Sequence, residues 1–218
     1  TVKRSPVKMS LKYVLRVVCL SLAAANVYSY CCSRHKFEAT LEITGAIIHS
    51  IGNTMVPING YAHLYYDYEG KRQRLNSHIL QPDGSYRNST TINLYSMNKQ
   101  YTIEGAHQCT EYRLNDTVRD PCVPAGATFL VNSTIGSGQH KIAVQFFLFN
   151  DVAAGQWNKL VVTADDCTPV ELTVQGVVEG VDQIYTYTFT KVRPGITDEK
   201  VFDIDRSCLT SHGPPVVG

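Results

Sequence analysis

The residues here that could do chemistry are serines, paired aspartates, cysteines and asparagines in acceptor motifs, and their spacing decides what they do. Ile135-Gly136-Ser137-Gly138 stands two residues before His140. A serine hydrolase needs its nucleophile on a strained turn inside G-x-S-x-G, and that pattern is absent, so a flexible turn ahead of a strand fits better. Asp165-Asp166 offers two carboxylates. Adjacent residues of an extended chain point to opposite faces, which favours a solvated turn over an acid–base pair. The histidines are scattered, with no H-E-x-x-H and no i, i+4 pair. There is no phosphate-cradling glycine loop and no EF-hand pattern. The expectation is a binding protein, not an enzyme, with no catalytic residues and no organic cofactor.

The cysteines point to disulfides. Cys19 falls in a leader, which leaves Cys31, Cys32, Cys109, Cys122, Cys167 and Cys208, an even set. Zinc ligands usually come in pairs two to four residues apart, and only the adjacent Cys31 and Cys32 approach that spacing. An even disulfide set also leaves no thiol for catalysis. Residues 1–8 precede the first methionine, Met9, and read as leader sequence. Residues 9–29 read as a signal peptide: Lys12 supplies the basic start, Val14 to Ala25 a short apolar run broken by Arg16, and Val27 and Ser29 a cleavage site before Tyr30. No later stretch is long and apolar enough to cross a bilayer, and the tail from Ser211 is no lipid-anchor signal. Residues 30–218 then form a single secreted, extracellular domain. Asn88, Asn115 and Asn132 each open an N-x-S/T motif in polar surroundings, so glycans are expected on at least two of the three. Formal net charge is +1, which sets up no field for nucleic acid or an anionic membrane.

The elements that position these residues are strands. Alternation at period two dominates: Tyr61, His63 and Tyr65 against Ala62, Leu64 and Tyr66, with Lys71 to Leu75 as a hairpin partner. Pro82-Asp83-Gly84 is a turn. Ile92 and Leu94, then Tyr101 and Ile103, flank a turn at Met97-Asn98-Lys99. Further strands span Lys141 to Phe149, Leu160 to Ala164, Val170 to Val178 and Gln183 to Val192. Cys109 to Ala127 is the least strand-like stretch and reads as a short helix or a long loop. The fold class is all-β and antiparallel, a sandwich or half-open barrel.

One strand breaks the alternation. Ile142, Val144, Phe146 and Leu148 fill one face of Lys141 to Phe149, while Ala143, Phe147 and Phe149 nearly fill the other. A strand apolar on both faces must be covered twice, by core on one side and by a ligand, a partner subunit or a loop on the other. Phe147 and Phe149, with Tyr185, Tyr187 and Phe189 as a facing wall and Trp157 near the strand's exit, are the expected lining of an apolar pocket. Asp198, Asp203 and Asp205 lie close together near the C-terminus and are the candidate calcium ligands, since calcium takes several oxygens at once.

A series in the second half resembles the ependymin family, specifically the ependymin-related proteins. It runs Tyr101-Thr102-Ile103, Cys109, Ile135-Gly136-Ser137, Gly155-Gln156-Trp157, Val161-Val162-Thr163, Asp166-Cys167-Thr168-Pro169-Val170, Phe189-Thr190-Lys191, Pro194-Gly195-Ile196-Thr197-Asp198, Val201-Phe202 and Cys208. The opening Cys31-Cys32 with Phe37-Glu38, and Tyr66-Asp67 with Arg72 and Arg74, are similar to the family's first half. Arg34 and Glu199 depart from it, each standing where proline is common. The resemblance implies a secreted glycoprotein with two curved sheets enclosing an apolar pocket, similar to bacterial lipoprotein carriers. It implies calcium binding, attachment to extracellular matrix and a homodimer as family associations. It also implies Cys109 joined to Cys208, one of Cys31 or Cys32 to Cys167, and Cys122 to the other. The favoured expectation is a carrier of an apolar ligand, such as lipid. The alternative is a calcium-dependent matrix or adhesion protein without a small-molecule ligand.

Overall fold

The computed structural model describes residues 31–49, 54–81, 83–105, 108–152, 154–178, 181–205 and 208. The expected leader, the signal peptide with Cys19, and the tail from Ser211 lie outside the described residues. Eleven strands follow one another: β1 (Lys36–His49), β2 (Thr54–Asp67), β3 (Arg72–Leu80), β4 (Tyr86–Leu94), β5 (Lys99–Glu104), β6 (Gln108–Arg113), β7 (Thr128–Ile135), β8 (Ile142–Asp151), β9 (Gln156–Thr163), β10 (Pro169–Val178) and β11 (Val181–Pro194). They form one antiparallel sheet in the order β6-β5-β4-β3-β2-β1-β11-β10-β9-β8-β7. The fold is all-β, as the alternation predicts. Its two halves, the meanders β1–β6 and β7–β11, are continuous because β1 pairs with β2 on one edge and β11 on the other.

Directly paired residues of antiparallel strands share a face, so the ladder sorts the side chains. One row runs Phe147, Leu160, Leu172, Tyr187, Ile43, Gly60 and Ile79 from β8 to β3. We call its face the inner one. The adjacent outer row runs Phe146, Val161, Glu171, Thr188, Glu42, Tyr61, His78 and Asn88. The inner core holds Phe37, Ala39, Leu41, Ile43, Ala62, Leu64 and Tyr66, with Leu75, Ile79, Tyr187, Phe189 and Val118 packed against it. Burial of each large side chain there is worth about 1.5–3 kcal/mol. A smaller outer core gathers Ile92, Tyr101 and Cys208 with Leu94, Ile103, Cys109 and Ile204.

Two segments cover the faces. β6 and β7 occupy opposite edges, so the chain must travel from one to the other, and residues 114–127 make that crossing without a helix. Val118 enters the inner core. The Tyr66 hydroxyl donates to the Arg119 carbonyl, and the Arg119 guanidinium pairs with Asp151 at the end of β8. Since β1, β11, β10 and β9 stand between β2 and β8, one residue reaching both requires the sheet to coil around the crossing. The Cys32–Cys122 disulfide and the Ser33 N–H to Pro121 carbonyl bond, 2.9 Å, anchor its far end. On the outer face lies the C-terminal segment, with a 3-10 turn at Glu199–Phe202 and the Cys109–Cys208 disulfide. Phe202 is buried beneath the Arg72 guanidinium, 4.2 Å from the ring centre.

Candidate functional site

The inner face carries a continuous apolar stripe. Phe147 is buried, edge-to-face with Phe129 at 5.7 Å. The second inner row adds Phe149, Asn158, Val174 and Tyr185. Phe149, Leu160, Leu172, Val174, Tyr185, Tyr187 and Phe189 all remain half-buried, so the lining is neither sealed core nor open surface. Tyr185 and Tyr187 stack at 6.3 Å, and burial raises both phenol pKa values above the ordinary one. Threonines Thr186, Thr188 and Thr190 take the other face of β11, as period two requires.

Five of the six expected lining residues therefore share one face: Phe147, Phe149, Tyr185, Tyr187 and Phe189. Trp157 does not. It pairs with Asn150 and Gln175 on the outer face and is 61% exposed. Chain proximity to β8 pointed to it, but it sits one residue out of phase with Asn158. Asn158 and the Arg119–Asp151 pair were not anticipated. Asn158 is a buried amide inside the apolar stripe, and its Nδ2 donates to the Gln156 carbonyl at 3.4 Å. Asp151 pairs with Gln156 on the inner face, so the stripe ends in a polar rim of Asp151, Gln156 and Arg119. A polar residue at an inward position of a half-buried strand was the available signal for Asn158.

The other expected residues are accounted for as follows. Cys32–Cys122 and Cys109–Cys208 are bonded, and Cys31 and Cys167 are each disulfide-bonded as well. The Asp198 carboxylate accepts the Lys200 N–H at 3.0 Å and caps the 3-10 turn, which Asp203 closes. Asp198, Asp203 and Asp205 are not gathered. Among the described residues, the one group of three ligand-type side chains with donor atoms within 4.8 Å is Cys32, Asp120 and Cys122, and its cysteines are tied in a disulfide. Asp166 accepts the Thr163 hydroxyl at 2.6 Å and the Thr168 N–H, which holds its pKa below the ordinary value and shapes the β9–β10 turn. Gly136 sits at φ +91°, where a Cβ would meet the His140 carbonyl at 2.1 Å, so Gly136 to His140 is a hairpin turn. Asn88, Asn115 and Asn132 are all exposed. Asn88 and Asn132 lie within β4 and β7, whereas Asn115 lies in the crossing. A separate open cavity of about 220 Å3 is lined by Glu38, Ala39, Thr40, His63, Leu64, Tyr65, Lys191 and Arg193, a mixture of charged and apolar groups.

Fold and site together define a disulfide-bonded all-β protein whose single open sheet presents an apolar lining on one face. The ependymin family profile matches residues 84–208, and the chain belongs to the ependymin family. Curated proteins give no match. Among solved structures, a DUF1329 family protein from Desulfovibrio piger is 8% identical, covering 87% of this chain and 97% of its own, with a TM-score of 0.34. A beta-barrel-like protein of domain of unknown function DUF1849 from Brucella abortus is 9% identical, covering 74% and 98%, with a TM-score of 0.27.

Proposed function

We propose that this is a secreted protein that binds an amphiphile with a long apolar chain along its inner face. The half-buried stripe from Phe149 and Phe147 across to Tyr185 and Tyr187 carries this reading. Such a lining leaves apolar area to be removed from water, at about 25 cal/mol per Å2. The polar rim of Arg119, Asp151 and Gln156 suits a head group such as a carboxylate, while the stripe suits the tail. Disulfides fit an oxidising compartment, and no helix among the described residues is long and apolar enough to cross a membrane.

The test is displacement of a fluorescent fatty acid from the secreted protein. Phe149→Asp is expected to weaken binding about 10-fold or more, since it places a charge in the lining. Trp157→Phe is expected to leave affinity unchanged, because that ring lies on the other face. Equal affinity in wild type and a folded Phe149→Asp variant would remove the inner face as the site.

A further inference from the structure

The outer row ends in an arrangement that the inner-face reading does not use. Tyr61, His78 and Asn88 pair directly across β2, β3 and β4. The Tyr61 and His78 rings stack at 4.6 Å and 18°. Tyr86 stands edge-on to Tyr61 at 6.2 Å, and His63 stands edge-on to Tyr61 at 5.9 Å, so Tyr61 gathers four rings into one shelf. Tyr61 is 39% exposed and Tyr86 52%. Clustered rings left to water this way offer apolar area against which a sugar's C–H face can pack.

Asn88 lies at the edge of that shelf and opens the motif Asn88-Ser89-Thr90. Because β4 is extended, Asn88 and Thr90 share the outer face with Tyr86. His78 Nδ1 and Asn88 Oδ1 lie 2.8 Å apart, a hydrogen bond that requires the Nδ1-protonated tautomer because an amide oxygen only accepts. That bond fixes the carboxamide through its oxygen and leaves Nδ2, the atom that carries an N-linked sugar, as the free end. β5 ends at Glu104, opposite Ser89, and the Gly105 N–H reaches the Asn88 carbonyl at 3.5 Å, so the β4–β5 ladder ends at Asn88.

We infer that Asn88 is glycosylated and that its first sugar residue docks on the Tyr61–His78–Tyr86 shelf. The sugar's C–H face meets the rings, and the amide link is pre-oriented by His78. The glycan then acts as an internal cover for β2–β4 instead of a freely moving appendage. This rests on the secretory reading above.

The experiment uses protein secreted from animal cells. Thr90→Ser keeps the acceptor motif and Thr90→Ala destroys it. Both retain Asn88 and its bond to His78, and the Thr90 hydroxyl's bond to Asn76 at 3.1 Å, lost in Thr90→Ala, is lost equally in a Tyr61→Ser background. Peptide mapping first establishes occupancy of Asn88. Loss of the motif is expected to lower Tm by about 2–4 °C, the shift that one ring contact of ordinary strength gives in a chain this size. The same comparison in a Tyr61→Ser background is expected to show less than half that shift. Diethyl pyrocarbonate should also modify His78 more slowly in glycosylated wild type than in Thr90→Ala. An unoccupied Asn88 would end the proposal at the level of secretion and acceptor use. An occupied Asn88 with equal Tm shifts in both backgrounds and equal His78 reactivity would overturn the docking while leaving the secretory reading intact.

Discussion

Asp67 shows how much one residue organises. It is 3% exposed, and burial alone works to raise its pKa. The Gly70 N–H at 2.8 Å, the Arg72 guanidinium at 2.8–2.9 Å and Lys36 at 3.5 Å outweigh that and hold it below the ordinary value of 3.8. Glu199 joins through Lys36 and Arg72, so the residue that departs from the family's usual proline ties the C-terminal segment to β1 and β3. A depressed carboxylate pKa stabilises the fold fully above its unfolded value and loses that contribution as pH falls through the folded one. Asp67→Asn is therefore expected to lower stability by about 2 kcal/mol at pH 7 and to flatten the fall of Tm below about pH 4. Asp166 and Glu199 shift in the same direction, so the measurement is the difference between the two Tm–pH curves. Superimposable curves would refute the assignment. At this scale the sequence was legible where chemistry is local: the acceptor motifs and the Asp165-Asp166 turn lie where the chain places them. The Asp67 network was legible only in part: Asp67 and Arg72 flank one hairpin turn, whereas Lys36 and Glu199 reach them through strand pairing and the C-terminal segment.

At the scale of elements, period two carried most of the information. The alternation in β2 and β11 shows directly in the rows of the ladder. β8 is more mixed than its double apolar pattern implies. Val144 and Phe147 are buried on opposite faces, while Ile142 and Leu148 are 52% and 36% exposed. β1 and β7 were not read from the residues, although Phe37, Ala39, Leu41 and Ile43 alternate with Glu38, Thr40, Glu42 and Thr44. Cys109 to Ala127, expected as a short helix or long loop, instead gives nearly all of β6 in Cys109–Arg113, and only 114–127 is the crossing, whose course is set by what it must bridge and not by its own propensity. Tyr66 holds that crossing through one bond to the Arg119 carbonyl. Tyr66→Phe keeps the ring contact with Phe37 and deletes the donor, so a loss of about 1 kcal/mol is expected. Hydrogen exchange should rise in residues 114–120 more than in β2. Unchanged exchange there would mean that the Cys32–Cys122 disulfide alone fixes the segment.

For the whole molecule, the seam between β1 and β11 makes two meanders one sheet. At Gly45 a Cβ would lie 2.3 Å from the Ile184 carbonyl oxygen and 3.0 Å from the Tyr185 Cα, both backbone atoms that cannot rotate away. Gly45→Val is expected to cost about 3 kcal/mol or prevent folding, and to lower protection in both meanders together. Gly126→Ala meets nothing within 4 Å and serves as the near-neutral control. Protection lost in β7–β10 alone would show that the halves fold independently. The sequence by itself determined the all-β class, most of the strands, the two faces of β11, an even set of cysteines from Cys31 onward and the N-x-S/T motifs, because each follows from neighbours two to four residues apart or from counting. Only the tertiary structure decided that β1 joins the two meanders into one open sheet, and that Trp157 faces away from Phe147 while Asn158 faces with it. Those outcomes depend on strand register and sheet coiling, which place residues more than a hundred positions apart in contact and leave no periodic trace in either segment.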